Sequence, residues 1–151
     1  ETSIDFDLNK VIEKNKDNPV FYCQYAYARA SSVINKANDL GININSFNKN
    51  TKIKEYLTND EIEIILKLLS YPYILHQSSL KREPHRLTNF IEDVSISFHS
   101  FWNKGKENES LRFIDEKNIL KSQTKLLWLH SMRIVFENIF NIIGIDYHET
   151  M

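Results

Sequence analysis

An all-α fold, an antiparallel helix bundle, is the architecture that this sequence predicts, and three observations predict it. Only three Gly and three Pro occur in 151 residues, so long helices are easy and turn-rich β architectures are disfavoured. Apolar residues recur at threes and fours over long stretches. Start and stop signals bracket those stretches, among them Asn18-Pro19, Thr58 to Glu61, Pro84, Gly41 and Gly144.

Five helical segments follow from these signals. Residues 7–17 read as a short amphipathic lead-in. Residues 19–40 form the second segment, where Asn18 can cap, Pro19 suits the first turn and Gly41 suits the stop. Residues 41–57, rich in Asn, Ser and Lys, read as a loop. Thr58-Asn59-Asp60-Glu61 has the form of a capping box. It opens a third segment whose apolar face is expected to carry Ile62, Ile65, Leu66 and Leu69. Pro72 should kink or interrupt that segment, which resumes through Leu80. Pro84 starts the fourth, through Asn103, with a stripe of Leu87, Phe90, Ile91, Val94, Phe98 and Phe101. Residues 104–114 are charged, contain Gly105 and read as a connection. The fifth segment covers 115–143, ended by Gly144. Its buried side is assigned to Leu120, Leu127, Met132, Val135, Phe136, Ile139 and Ile142 or Ile143. Residues 145–151 form an extended tail, and short connections favour antiparallel neighbours.

The length fits one domain with a substantial core. A formal net charge of −1 gives no global electrostatic case for nucleic acid, so RNA binding would need a local patch. The single cysteine, Cys23, excludes an internal disulfide and is consistent with a reducing compartment. No apolar run reaches the ~18 residues of a membrane span, and no signal peptide is visible. The first residue is Glu1, and we expect an excised piece of a longer protein.

Catalytic candidates fail on spacing. His76, His85, His99, His130 and His148 form no pair at three or four residues, and the one Cys adds no second sulfur ligand, so no metal site is assigned. The carboxylates Asp60-Glu61 and Glu92-Asp93 are adjacent and so do not face each other on a helix. Neither a phosphate-cradling glycine loop nor a serine nucleophile elbow is present. No catalytic residue is assigned.

Two aromatic clusters remain. Tyr22, Tyr25, Tyr27 and Arg29 lie on the second segment, with Tyr25 and Arg29 four apart on one face. Phe98-His99-Ser100-Phe101-Trp102-Asn103 ends the fourth beside Lys104 and Lys106. Core packing explains aromatic stripes at this spacing. Base stacking explains them too, at about 1–3 kcal/mol per base.

At these residues the chain resembles the C-terminal anticodon-binding domain of arginyl-tRNA synthetase, the all-helical type named after its Asp-Ala-Leu-Arg signature. Asn18-Pro19-Val20-Phe21-Tyr22-Cys23-Gln24-Tyr25-Ala26-Tyr27-Ala28-Arg29 is similar to its most characteristic motif. Glu83 to Asp93 is similar to a second, and Phe98 to Asn103 to a helix end usually read as His, any residue, Phe or Tyr, Tyr. Thr2 to Leu8, Arg133-Ile134-Val135 and the tail from Gly144 to Met151 complete the order. Tyr27 stands where the family usually has His, and Trp102 where it has Tyr. The tail reads His148-Glu149-Thr150-Met151 in place of Pro-Glu-Arg-Met, and the naming signature is absent as a literal string.

The resemblance implies an all-α bundle of the class I synthetase anticodon-binding type, a single domain over 1–151 with 1–17 leading in from a catalytic domain. It implies recognition of the anticodon loop of arginine tRNA, within the enzyme that attaches arginine to its tRNA. Carried over by position, Tyr25 stacks on or cradles a base, Arg29 contacts base or phosphate, Trp102 offers a second ring and Met151 packs near the pocket with its carboxylate as acceptor. Lys104, Lys106, Lys121, Lys125 and Arg133 could guide the RNA backbone, or form a solvated face. The implied partners are arginine tRNA and the chain's own catalytic domain, with no membrane, a monomeric state and a cytoplasmic location. ATP and magnesium belong to the full-length enzyme, and no cofactor is expected in this part. The His-Ile-Gly-His and Lys-Met-Ser-Lys-Ser type motifs of class I synthetases are missing from the sequence. The alternatives are a helical protein-interaction domain whose aromatics are all core, and the related domain of another class I synthetase.

Overall fold

A computed structural model describes residues 18–45, 47 and 52–150. The expected lead-in helix over 7–17 and the terminal Met151 lie outside the described residues.

Helix α1 spans Pro19–Asp39. The Asn18 side chain accepts from the backbone N–H of Val20 at 3.0 Å and of Phe21 at 3.3 Å, as a helix cap should. Gly41 beyond its end takes φ 73°, the left-handed conformation that glycine adopts without penalty. After a 3-10 turn at Ile53–Tyr56, α2 runs Asn59–Leu69 and α3 runs Tyr71–Lys81. The two follow each other through Ser70, and Pro72 sits in the first turn of α3, so the expected interruption is present. Helix α4 covers His85–Glu107, a second 3-10 turn covers Glu109–Leu111, and α5 covers Ile119–Ile143. Gly144 closes α5 at φ 72°.

The chain forms an all-α bundle around α4, which packs on α1, α2, α3 and α5. Contacts fix the directions. Tyr27 meets Phe140 while Gln123 bonds the Asn43 carbonyl, so α1 and α5 are antiparallel. Lys67 reaches Asp93 and Lys104 reaches Asp60, so α2 and α4 are antiparallel. Helices α1 and α4 run the same way, since Tyr22 touches His99 and Arg29 touches Trp102 further along both. A shared groove between α1 and α4 follows from that pairing.

The core holds all but one of the α4 residues expected there: Leu87, Ile91, Val94, Phe98 and Phe101 are buried, and Phe90 packs at the edge. Three expectations need correction. On α2 the buried residues are Glu61, Ile64 and Leu68, whereas Leu66 and Leu69 are 61% and 70% exposed. The face is turned because the Glu61 carboxylate is satisfied inside the bundle, which outweighs the apolar pattern. Helix α4 continues through Gly105 to Glu107, since the segment after it folds back on its last turn, with the Arg112 Nε donating to the Gly105 carbonyl at 3.4 Å. Helix α5 starts at Ile119, not 115. Asp115 instead holds a turn, accepting from the Lys117 N–H, and trades hydrogen bonds with Ser122 through its own backbone.

Helix α5 is covered nearly all round in its first half, where Ser122 to Leu126 are buried in sequence. Trp128, Leu129 and Phe140 join the core beyond the residues expected. Phe113, read as part of a loop, is buried against Phe98, Phe101 and Trp128.

Candidate nucleic-acid interface

Three residues singled out from the sequence meet at the surface of the α1–α4 groove. The Arg29 guanidinium carbon lies 4.0 Å from the Tyr25 ring centroid and 5.0 Å from that of Trp102. Its Nη2 donates to the Tyr25 hydroxyl at 2.8 Å, and its Nη1 to His99 Nδ1 at 3.1 Å. Tyr25, Arg29 and Trp102 are all half-buried, so their outer faces meet solvent. Two flat rings and a planar cation held side by side can stack an unpaired base, and the remaining guanidinium N–H groups can bond a base edge or a phosphate.

His99 is the residue that sequence reasoning missed. It is buried, tilted against the rings of Tyr22 and Tyr25, and its Nε2 lies 3.2 Å from the Tyr22 carbonyl oxygen. A carbonyl only accepts, so Nε2 carries the proton and Nδ1 is left to accept from Arg29. Burial pushes the imidazole pKa down to about 4, helped by the Arg29 charge and opposed by the bond to Tyr22. Protonation of Nδ1, which removes the acceptor of the Arg29 bond, is therefore a low-pH event in the folded chain. Because the folded value is depressed below the ordinary 6.5, stability is complete above that pH and is lost as pH falls towards about 4. His130, also held low by burial and by Arg133, acts in the same direction. A thermal-melt series from pH 7.5 to 4 on wild type and His99→Gln should show a shallower decline in the variant. Identical slopes would remove His99 from the account.

The other aromatics divide differently. Phe98 and Phe101 are core residues. Tyr27 is buried, with its hydroxyl donating to Glu137 Oε1 at 2.8 Å, and its pKa is pushed up to about 12 by burial and by that carboxylate. Cys23, Ala26 and Ala30 are buried in the bundle, whereas Val20 is exposed. Burial pushes the Cys23 thiol up to about 11, which leaves it an inert core group.

The cations expected to guide RNA are mostly committed elsewhere. Lys125 is buried against Glu61, Lys121 pairs with Asp115 at 3.1 Å and Lys104 pairs with Asp60 at 2.6 Å. Arg133 donates to Tyr27, Glu137 and Glu149, tying the tail to the bundle. Gln24 donates to the Asp146 carbonyl at 2.6 Å, and Tyr147 stacks on Phe140. That strap lies on the α1 face bearing Gln24, Tyr27 and Asn35, a different face from Tyr25 and Arg29. Met151, the fourth expected contact, lies outside the described residues.

Lys106 stays exposed, and with Lys36 and Arg112 it stands at a cavity of about 550 Å³ next to Trp102. Among the described residues no group of three or more His, Cys, Asp or Glu could hold a metal ion, and no helix is long and apolar enough to cross a membrane.

Comparison with known proteins bears on the same surface. An arginine–tRNA ligase of Pelagibacter ubique (strain HTCC1062) is 40% identical over 154 aligned residues, covering 100% of this chain and 26% of the ligase. That of Bartonella bacilliformis is 44% identical over 129 residues, covering 83% of this chain and 22% of the ligase. The chain thus spans about a quarter of the length of these curated relatives. A crystal structure of a putative arginyl-tRNA synthetase from Campylobacter jejuni superposes with a TM-score of 0.71 at 22% identity, covering 100% of this chain and 30% of that one, and shares the fold. The model of the DALR anticodon binding domain matches residues 23–151, which takes in Tyr25, Arg29, Trp102 and every helix from most of α1 onward. By that match the chain belongs to the DALR anticodon binding domain family.

Proposed function

We propose that this chain reads the anticodon loop of arginine tRNA as the RNA-binding part of an arginine–tRNA ligase. The observation that carries the reading is the solvent-facing cluster of Tyr25, Arg29 and Trp102, in a chain whose relatives are arginine–tRNA ligases. Sequence-specific RNA recognition works on unstacked loops, where base edges are free and aromatic or guanidinium planes can stack on them. Tyr25 and Trp102 supply rings, and Arg29 supplies both a plane and a charge. Met151 is placed near the pocket, with its carboxylate as an acceptor, on the resemblance alone.

Arginine activation belongs elsewhere in the longer enzyme, together with ATP and magnesium, because these 151 residues hold neither class I catalytic motif. We treat 1–151 as one domain with 1–17 as its link to the catalytic domain, acting as a monomer in the cytoplasm.

Titration of an anticodon stem-loop of arginine tRNA tests the reading. Tyr25→Ala and Arg29→Ala should each weaken binding by about 5- to 150-fold, the worth of one stacked base. Exchange of the anticodon bases should weaken wild-type binding similarly. Affinity indifferent to all three changes, in folded protein, would sink it.

A further inference from the structure

Trp102 has two surroundings. One side belongs to the Arg29 cluster. The other lines the cavity of about 550 Å³ between α1, α4 and the segment after α4. Val33 and Phe113 complete an apolar wall with Trp102, whose ring lies 6.1 Å from that of Phe113. The volume falls in the range of ligand sites, about 300–1,000 Å³.

The rim is basic. Lys36 comes from α1, Lys106 from α4 and Arg112 from the following segment, against Glu116 in the lining. Arg112 is partly answered by Glu109 at 2.8 Å. Lys36 and Lys106 are exposed and make no ion pair among the described residues. An aromatic wall with cations around its mouth suits a base whose flanking phosphates lie at the rim. An acidic peptide would use the cations and leave the rings idle.

Position supplies the occupant. Lys36 lies seven residues beyond Arg29 on α1, on the same face, about 10 Å along the helix. That is about three rises of a stacked strand. Because α1 and α4 run the same way, Lys106 advances with it, one turn past Trp102. A strand engaged at Tyr25 and Arg29 would therefore pass over this cavity.

We infer that the cavity beside Trp102, rimmed by Lys36 and Lys106, is a second nucleotide subsite that takes another base of the same single-stranded loop, with its phosphates on the two lysines. The inference rests on the anticodon-loop reading above. It places Trp102 as a divider between two bases, contacting both.

The test uses the 151-residue chain and the same stem-loop in three arms. Lys36→Ala/Lys106→Ala, at exposed positions with no ion pair among the described residues, should keep the thermal midpoint, weaken binding and lower the slope of log affinity against log salt by about 1.4, at about 0.7 per phosphate contact. Stem-loops made abasic at each loop position in turn should include one whose loss weakens wild type about fivefold or more but the double variant far less. A free nucleoside monophosphate serves as the third probe and should bind far more weakly than the stem-loop. Unchanged affinity and salt slope in the double variant would overturn the subsite, while Arg29→Ala still weakens binding and keeps the parent reading. Loss of both effects would overturn both. A mononucleotide bound as tightly as the stem-loop would overturn assignment to the strand.

Discussion

Glu61→Ala is expected to cost about 3–5 kcal/mol of folding stability, the usual penalty for removing one partner of a buried ion pair. Glu61 and Lys125 are 0% and 1% exposed, with Lys125 Nζ 3.2 Å from Glu61 Oε1. Trp128 Nε1 donates to the same oxygen at 3.3 Å. The other oxygen accepts from the Thr58 N–H and hydroxyl at 2.9 Å each, which closes the capping box of α2. Truncation therefore leaves a buried ammonium, an indole N–H and a helix cap without their acceptor. Burial already pushes the Lys125 pKa below its ordinary value, and the Glu61 charge works against that shift. A domain of this size holds about 5–15 kcal/mol in all, so the variant should melt near assay temperature. Lys125→Met should cost a similar amount for the mirrored reason. In Glu61→Ala/Lys125→Met no unpaired charge remains, and the loss should be well below the sum of the single losses. Urea melts of the four proteins measure this. Single losses below about 1 kcal/mol, or strict additivity, would refute the buried-pair account.

The pair also reaches the candidate RNA surface. Lys125 Nζ donates to the Leu111 carbonyl at 3.0 Å, and Leu111 lines the cavity beside Trp102. The ammonium lies 5.0 Å from the Phe101 centroid, one residue from Trp102. A charge in the core thus fixes the segment that shapes the cavity wall.

This network was the least legible part of the fold. Asn18, Pro84, Gly41 and Gly144 are local signals, and each acts where its chemistry placed it. The apolar stripe of α4 was legible because that helix is packed on several sides at regular spacing. Thr58 and Glu61 were legible as a cap, but a cap is ordinarily a surface device. Nothing in a capping box says that its carboxylate will also meet a lysine 64 residues away, and that meeting is what turns Leu66 and Leu69 outward. The same limit applies to α5, whose first half is covered nearly all round and so carries no clear amphipathic stripe to read.

For the candidate site, spacing correctly put Tyr25 and Arg29 on one face, because four residues make about one helical turn. It could not separate Tyr27 from Tyr25, since both are aromatic and only the partner helices decide which is covered. Nor could it sort the cations. Lys125 and Arg133 read like any exposed base in the sequence, yet the carboxylates that neutralise them come from α2 and from the tail. His99 looked like an isolated histidine because its partners, Arg29 and the Tyr22 carbonyl, lie 70 and 77 residues away.

Arg29→Lys should weaken stem-loop binding by about 30-fold, close to the effect of Arg29→Ala, despite keeping the charge. About 2 kcal/mol is at stake, the middle of the range for one stacked base. The guanidinium is a plane 4.0 Å from the Tyr25 centroid and 5.0 Å from that of Trp102, fixed at its edge by the Tyr25 hydroxyl and His99 Nδ1. An ammonium is a point charge with no plane to stack and no fork to hold two acceptors at once. His99 Nδ1 and the Tyr25 hydroxyl would lose their shared donor, and Tyr25 would be free to rotate. If the role of Arg29 were to attract phosphate, the lysine would retain most of the affinity and the wild-type salt slope, and only Arg29→Ala would lower that slope, by about 0.7. If its role is to complete a flat platform, affinity falls and the slope still stays unchanged, because the charge is still there. Affinity and slope measured together on wild type, Arg29→Lys and Arg29→Ala separate the two. Retention of near wild-type affinity by the lysine variant would show that stacking geometry at Arg29 contributes little, and would shift the weight of base recognition onto Tyr25 and Trp102 alone.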